Sequence, residues 1–142
     1  MKKCTILSLF ALLALFSCKR QGISRYVNTG TISIEDAIVI RKGEVVFRSG
    51  NNAGGQVAIY QLPYGKFVVW LEKMNFTTNI NNELHLSNVP TKSNESEEIF
   101  AFRAVNGSLY NWVPSHINIA DFKYVIIQND REPEAIASAE LQ

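Results

Sequence analysis

The chain has 142 residues, a length typical of one domain, and an ordinary globular composition with 46% hydrophobic and 19% charged residues. Its formal net charge of +1 excludes the strongly basic character of nucleic-acid-binding domains, so we expect no nucleic-acid partner. The two cysteines, Cys4 and Cys18, both lie near the N-terminus, which excludes a disulfide framework and a thiolate metal site in the rest of the chain.

The N-terminal segment has the features of an export signal. Two lysines precede an apolar stretch over residues 6–16, which is too short to span a membrane and has the length found in signal peptides. Leu15-Phe16-Ser17-Cys18 then resembles the bacterial lipobox, although Phe16 is bulkier than the usual occupant. We therefore predict a signal peptide over 1–17 and a lipidated tether over 18–30, attached to the membrane of the bacterial cell envelope through Cys18. The alternatives are an ordinary signal ending near a cysteine by chance and an uncleaved anchor.

From residue 31 onward, short segments with period-two hydrophobicity alternate with turn residues. The predicted strands are Thr31–Ile40, Glu44–Arg48, Gln56–Leu62, Lys66–Asn75, Glu83–Ser87, Ile99–Ala104, Ser108–Val113, Lys123–Gln128 and Ala135–Leu141. About nine strands at this spacing predict an all-β domain over residues 31–142, an antiparallel β-sandwich or a barrel-like domain.

Turn residues punctuate this pattern. Arg41-Lys42-Gly43 predicts a turn, and Pro63-Tyr64-Gly65 predicts a hairpin connection because proline suits its second position and glycine its fourth. Asn88–Glu98 predicts a polar, mobile loop. Ile117–Phe122 predicts one short helical turn with Asn118 as its cap.

The order of features from Val45 to Leu141 resembles the DM-thirteen ("electron transfer DM") domain family. A phenylalanine-bearing strand and a small-residue loop are followed by Asn81-Asn82-Glu83-Leu84-His85-Leu86-Ser87, where the family typically has Gly-Pro-Asp-Leu-His-Val and Leu-Ser. Gly107, Tyr110, Pro114 and the strand Phe122–Ile127 match later family features in order, and the chain ends in a similar small-Ser-Ala-x-Leu segment.

This resemblance implies a β fold and, as an alternative function, electron transfer or the binding of haem or metal. In the family, Trp-Cys usually follows the Val-Ile strand, whereas this chain has Gln128-Asn129 in those two places. A carboxamide cannot cycle electrons and is a poor iron ligand. The substitution therefore favours the family fold over the family's proposed redox role.

The residue types that carry catalysis or bind metals show no diagnostic spacing. His85 and His116 are the two histidines, and a zinc site would need further ligands. His85 lies between Leu84 and Leu86, so we expect its side chain to point away from their face, and His116 precedes Asp121 in a predicted loop. We predict no enzyme activity and no cofactor.

Three other groups of residues have more ordinary interpretations. Gly54-Gly55 precedes a strand and not a helix, so it does not form a phosphate cradle. The acids at 95, 97 and 98 lack the ligand ladder of a calcium loop. Aromatic residues invite a sugar-stacking interpretation, but core or cross-strand packing is the commoner role; they are Tyr60, Tyr64, Trp70, Tyr110 and Trp112. The sequence thus predicts a lipid-anchored, non-enzymatic module that binds an envelope protein, a glycan or a small ligand.

Overall fold

The computed structural model describes residues 32–48, 54–76, 81–103, 105–129 and 134–142. The predicted signal peptide over 1–17, the tether over 18–30 and the lipidation site Cys18 lie outside these residues. Within the described ranges, no helix is long and apolar enough to cross a membrane.

Nine strands and one short 3-10 helix make up the described chain. The strands are β1 (Ile38–Glu44), β2 (Val46–Phe47), β3 (Gln56–Gln61), β4 (Phe67–Phe76), β5 (Asn82–Ser87), β6 (Glu97–Phe102), β7 (Val105–Trp112), β8 (Tyr124–Asn129) and β9 (Ala137–Glu140). The 3-10 helix covers Ile119–Asp121.

The strands form two antiparallel sheets packed as a sandwich, which confirms the predicted fold class. Sheet A has the strand order β1-β3-β4-β7, and sheet B has the order β2-β9-β8-β5-β6. The two sheets do not close into a barrel in the part of the chain that the structure describes.

Period-two alternation decides which side chains enter the core between the sheets. Sheet A contributes Val57, Ile59, Val69 and Leu71 to this core. Sheet B contributes, among others, Leu84, Leu86, Phe100, Val125 and Ile127. The predicted apolar run at 125–127 is buried throughout, as expected for a strand covered on both faces.

The predicted turns at 63–65 and 117–122 are confirmed. Gly65 has φ +79°, and its N–H donates to the carbonyl of Leu62 at 2.9 Å, which closes the turn between β3 and β4. The Asn118 side chain accepts the N–H of Ala120 and caps the 3-10 helix.

The prediction for the start of the domain was wrong in one respect. A strand over Thr31–Ile40 followed by a turn at Arg41-Lys42-Gly43 was expected, but β1 runs from Ile38 through Glu44. Two contacts keep this stretch extended. The Arg41 guanidinium donates to the carbonyls of Phe122 and Leu141, and Gly43 lies so close to the carbonyl of Glu140 that a Cβ would collide with it.

Residues 42–47 join the two sheets along one side of the sandwich. Gly43 and Glu44 still pair with β3, while Val46 and Phe47 pair with β9. Residue 42 exchanges both backbone hydrogen bonds with residue 142, at N–O distances of 3.1 and 2.9 Å. The stretch therefore runs antiparallel to residues 137–142 while its first half remains an edge of sheet A.

Other strand ends also differ from the prediction because partner strands set them. The second strand shrinks to Val46–Phe47, since β9 pairs with only two of its residues. Strand β7 begins at Val105 and not at the predicted Ser108, because its first residues pair with the end of β4. Strand β6 begins at Glu97, inside the segment predicted as a loop, because Glu97 and Glu98 pair with β5.

Candidate functional site

The outer face of sheet A carries a row of half-buried aromatic side chains. Alternation directs Tyr60, Trp70, Tyr110 and Trp112 away from the core, and we call these four residues the aromatic strip. Trp70 lies directly opposite Tyr110, with ring centroids 5.4 Å apart, and 5.8 Å from Tyr60. The predicted cross-strand packing of these aromatics is confirmed, and it occurs on the outside of the sandwich.

One end of the aromatic strip is covered and the other opens into a groove. At the covered end, the backbone N–H of Ile32 lies 3.4 Å from the Tyr110 hydroxyl, and the Lys66 ammonium lies 5.5 Å from the Trp112 ring centroid. Tyr64, at the hairpin beside this end, is exposed and does not join the aromatic strip. At the open end, Tyr60 forms part of the groove wall.

The groove, which we call the outer groove, has a volume of about 660 Å³ and lies where residues 42–47 join the two sheets. Its walls come from β1, β3, β4 and β9, and the β1 residues among them are Val39, Lys42, Gly43 and Glu44. The charged side chains at the outer groove are Lys42, Glu44, Glu72 and Glu140. Gln56, Tyr124, Ser138 and Gln142 add uncharged polar groups.

Tyr60 and Glu72 form the polar contact at the centre of this wall. The Tyr60 hydroxyl donates to Oε1 of Glu72 at 3.1 Å. Burial, followed by this hydrogen bond and the negative charge of Glu72, raises the pKa of Tyr60 above its ordinary value of 10.0. The phenol therefore stays protonated at neutral pH and keeps the carboxylate of Glu72 in a fixed orientation.

The indole of Trp70 has an unmet hydrogen-bond donor. Its Nε1 is buried and has no hydrogen-bond partner in the described parts of the chain. An indole N–H can only donate, and leaving a buried donor unpaired costs about 1–3 kcal/mol. The ring is held in place by its tyrosine neighbours on both sides and not by a polar contact.

His85 lies on the other side of the molecule, on the outer face of sheet B. Only 4% of its surface is exposed, and its Nε2 lies 3.1 Å from Oε2 of Glu83. Its Nδ1 is buried and without a hydrogen-bond partner in the described residues. The predicted orientation, away from Leu84 and Leu86, is confirmed, and the side chain is a hydrogen-bonded strand histidine.

Glu83, His85 and Ser87 alternate along one face of β5, an order that invites comparison with a catalytic triad. The geometry does not support that interpretation. Ser87 is fully buried; its hydroxyl donates to the carbonyl of Thr91 at 3.2 Å and accepts a hydrogen bond from Ser96 at 3.1 Å. The serine fastens the following loop to the sheet and is not presented to solvent as a nucleophile.

The remaining predicted positions do not converge on a site. His116 is exposed in the loop before the 3-10 helix, and Asp121 is hydrogen-bonded to Asn118 at 3.0 Å. Across the described ranges, no group of three His, Cys, Asp or Glu side chains is arranged to hold a metal ion. The acids at 95, 97 and 98 are exposed along the start of β6.

The two glycines at 54–55 and the two carboxamides at 128–129 have structural roles. Gly55 brings the backbone close to β4, since a Cβ there would collide with the Met74 sulfur, and its carbonyl accepts the N–H of Val45. Gln128 and Asn129 are buried at the end of β8, opposite Glu83 and Asn82.

No family model matches the chain, and no curated protein or solved structure matches it either.

Sequence reasoning did not find the outer groove. Its charged residues come from β1, β4 and β9, and nothing in their spacing along the chain marks them as neighbours. One signal was present in the sequence: Lys42 and Glu44 are two positions apart, so their side chains lie on the same face once the strand is known to continue past Arg41.

Proposed function

We propose that this protein is a non-enzymatic, lipid-anchored binding protein of the bacterial envelope and that the outer groove is its ligand site. The observation that carries the proposal is a concave surface of about 660 Å³ whose polar side chains adjoin the aromatic strip. Ligand sites are typically concave, with a few convergent polar groups next to aromatic side chains.

The chemistry of the lining favours a saccharide as the ligand. Glu44, Glu72 and Glu140 supply carboxylate acceptors for hydroxyl or amino groups, and Lys42 supplies a donor. Tyr60, which forms part of the groove wall, gives an aromatic surface for the C–H face of a sugar ring. An excess of acceptors over donors suits a ligand that brings many hydroxyl hydrogens.

The anchoring half of the proposal rests on the predicted lipobox and on where the described chain begins. Ile32 lies against Tyr110, on the outer face of sheet A, so the chain enters the domain on the same face as the aromatic strip. The proposed lipid on Cys18 would hold the domain within the length of the tether from the envelope surface.

Binding is tested by isothermal titration of the detergent-solubilised full chain with soluble neutral and amino-sugar oligosaccharides. We expect a saturable heat signal that Glu72→Gln and Tyr60→Phe each weaken about tenfold, since a hydrogen bond to a charged group contributes about 1.5–3 kcal/mol. Glu95→Gln, an exposed acid in the 88–96 loop, is the matched control and should leave the affinity unchanged. Absence of saturable binding across this set, or equal effects of all three variants, contradicts the proposed site.

Lipidation is tested separately by metabolic labelling with palmitate. Wild-type protein should incorporate label and sediment with membranes, whereas Cys18→Ser should do neither. Cys4→Ser, a change inside the predicted signal, is the control and should retain the label. Mass spectrometry that finds an intact leader or an unmodified Cys18 in wild-type protein contradicts the anchoring.

The described histidines fit the redox alternative poorly. Nε2 of His85 is engaged by Glu83 and the ring is almost fully buried, while His116 lies in a different element. In the described ranges, neither belongs to a group of three His, Cys, Asp or Glu side chains that could hold a metal ion. A Soret band in protein purified from native membranes would restore this alternative.

A further inference from the structure

One end of sheet A presents apolar and aromatic side chains to solvent. Ile38 pairs with Gln61, the last residue of β3 before the hairpin that holds Tyr64, and these two side chains are 67% and 65% exposed. Trp112 ends β7 beside the same hairpin, where the exposed Lys66 lies over its ring. We call Ile38, Tyr64, Lys66 and Trp112 the entry end, because the described chain begins next to them.

Two surface hollows at the entry end share Trp112 as a wall residue. One has a volume of about 240 Å³ and is also lined by Ile32 and Tyr64. The other has a volume of about 410 Å³ and is also lined by Lys66 and Pro114. Neither hollow shares a lining residue with the outer groove. The half-buried Trp112 side chain is therefore accessible from two hollows that are separate from the proposed ligand site.

The chain that precedes the described domain arrives at this end. Ile32, the first described residue, lines the smaller hollow, and 14 positions separate it from the predicted lipidation site Cys18. Even a fully extended connection of that length spans at most about 50 Å. The residues between them include three basic side chains and no acidic one. A tether raises the effective concentration of its own attachment point at the anchoring surface, so the entry end meets that surface most often.

We infer that the entry end contacts the lipid headgroup layer of the membrane that holds the anchor. Tryptophan and tyrosine favour this layer because each has an apolar ring and one polar atom. Lys66 can keep its stem beside Trp112 while its ammonium reaches a lipid phosphate. Ile38 adds an exposed aliphatic side chain to the same end. This contact rests on the proposed lipid anchoring, and it is independent of what the outer groove binds.

The charges at the entry end favour a lipid surface over an anionic polymer. Glu35 and Asp36 are exposed just before β1, and Asp36 lines the smaller hollow. These two carboxylates offset the ammonium of Lys66, so a polyanion gains little here. The apolar and aromatic side chains gain free energy by leaving water, whatever the charge of the lipid. A zwitterionic lipid is therefore sufficient for the contact.

The two tryptophans of the chain provide a test with an internal control. Full chain purified from membranes is reconstituted into phosphatidylcholine vesicles with or without bromine on one acyl chain, which quenches nearby indoles. Trp70→Phe leaves Trp112 as the only fluorophore, and Trp112→Phe leaves Trp70, which lies further along the aromatic strip. We expect brominated lipid to quench Trp112 about threefold more strongly than Trp70, because interfacial tryptophans lie at the headgroup level.

Flotation of the vesicles separates the two proposals. Protein that floats with the vesicles, but in which Trp112 is quenched no more than Trp70, overturns the contact and leaves the anchoring intact. Protein that does not float contradicts both.

A thiol-linked fluorescent probe gives a second measurement that does not depend on the tryptophan variants folding. Tyr64→Cys places the probe at the entry end, and Val46→Cys is the matched control. Val46 is 66% exposed, almost the same as Tyr64, but follows the opposite end of β1. On vesicles, the probe at 64 should be protected from aqueous iodide severalfold better than the probe at 46. Equal protection of the two probes overturns the inference.

Discussion

Lys42 and Gln142 exchange both of their backbone hydrogen bonds, at 3.1 and 2.9 Å, although 100 positions separate them in the chain. Lys42 also pairs with Ala58 of β3 on its other side. Residue 42 is therefore the point at which the edge of sheet A becomes a neighbour of the last strand of sheet B.

At Gly43 the strand lies close to the backbone of Glu140. We expect Gly43→Ala to lower the free energy of unfolding by about 1–3 kcal/mol, because its Cβ would collide with the carbonyl of Glu140 and force the strands apart. Gly54→Ala has open space around the added Cβ and should change stability by less than about 0.5 kcal/mol. Urea unfolding of both variants checks this, and equal effects would show that the approach is not tightly constrained.

Arg41 holds the junction with its side chain. Its guanidinium donates to the carbonyls of Phe122 and Leu141, and Arg41→Met removes both donors, so we expect a loss of about 2 kcal/mol in urea unfolding. Arg48, which forms an exposed ion pair with Glu134, provides the control, and Arg48→Met should cost less than about 0.5 kcal/mol. A loss in Arg41→Met no larger than the control's would mean that the carbonyls are satisfied by water.

Tyr60 should give the protein a distinctive response to alkali. Because the folded-state pKa of Tyr60 is raised above 10.0, its contribution to stability is complete below pH 10 and is lost as the pH rises through the folded-state pKa. Tyr60→Phe should therefore lose less stability between pH 8 and pH 11 than the wild type in urea unfolding. Glu72→Gln, which removes the hydrogen bond to a charged acceptor, should lower the pKa of Tyr60 in a spectrophotometric titration at about 295 nm. Parallel pH curves for wild type and Tyr60→Phe would contradict this assignment.

His85 should behave as a packing residue. His85→Leu fills a similar volume without an unpaired ring nitrogen, so we expect a change in unfolding free energy of less than about 1 kcal/mol. His85→Ala leaves a cavity and should cost about 2 kcal/mol or more. If His85→Leu is as destabilising as His85→Ala, then the contact between His85 and Glu83 stabilises the fold and is more than a consequence of packing.

Much of the sandwich follows from local sequence rules, as the hairpin at Pro63 shows. Proline and Gly65 define a turn by themselves, and the strands on either side alternate clearly enough to fix which face enters the core. The cap at Asn118 is also a local feature, because it depends only on a hydrogen bond between the Asn118 side chain and the backbone N–H of Ala120.

The edges and the outer groove could not be predicted in this way, because they depend on contacts between distant parts of the chain. Arg41-Lys42-Gly43 has the composition of a turn, and only the carbonyls of residues 122, 140 and 141 reveal why it remains extended. The outer groove could not be predicted for the same reason, because Lys42 lines it only when the strand continues past Arg41. The exposure of Val39 also requires knowledge of which strand lies last in the sheet.

The exchange between Lys42 and Gln142 has a mechanical consequence when force is applied at the amino-terminal end of the described domain. Tension applied at Ile32 can separate residues 38–41 from β3 by breaking their backbone hydrogen bonds one after another, because β3 is the strand that pairs with them in the described chain. Lys42 is paired with β3 on one side and with Gln142 on the other, so separation at this residue must disrupt both pairings together. Force applied through the amino-terminal end would therefore release a few residues of β1 before it disturbed the core.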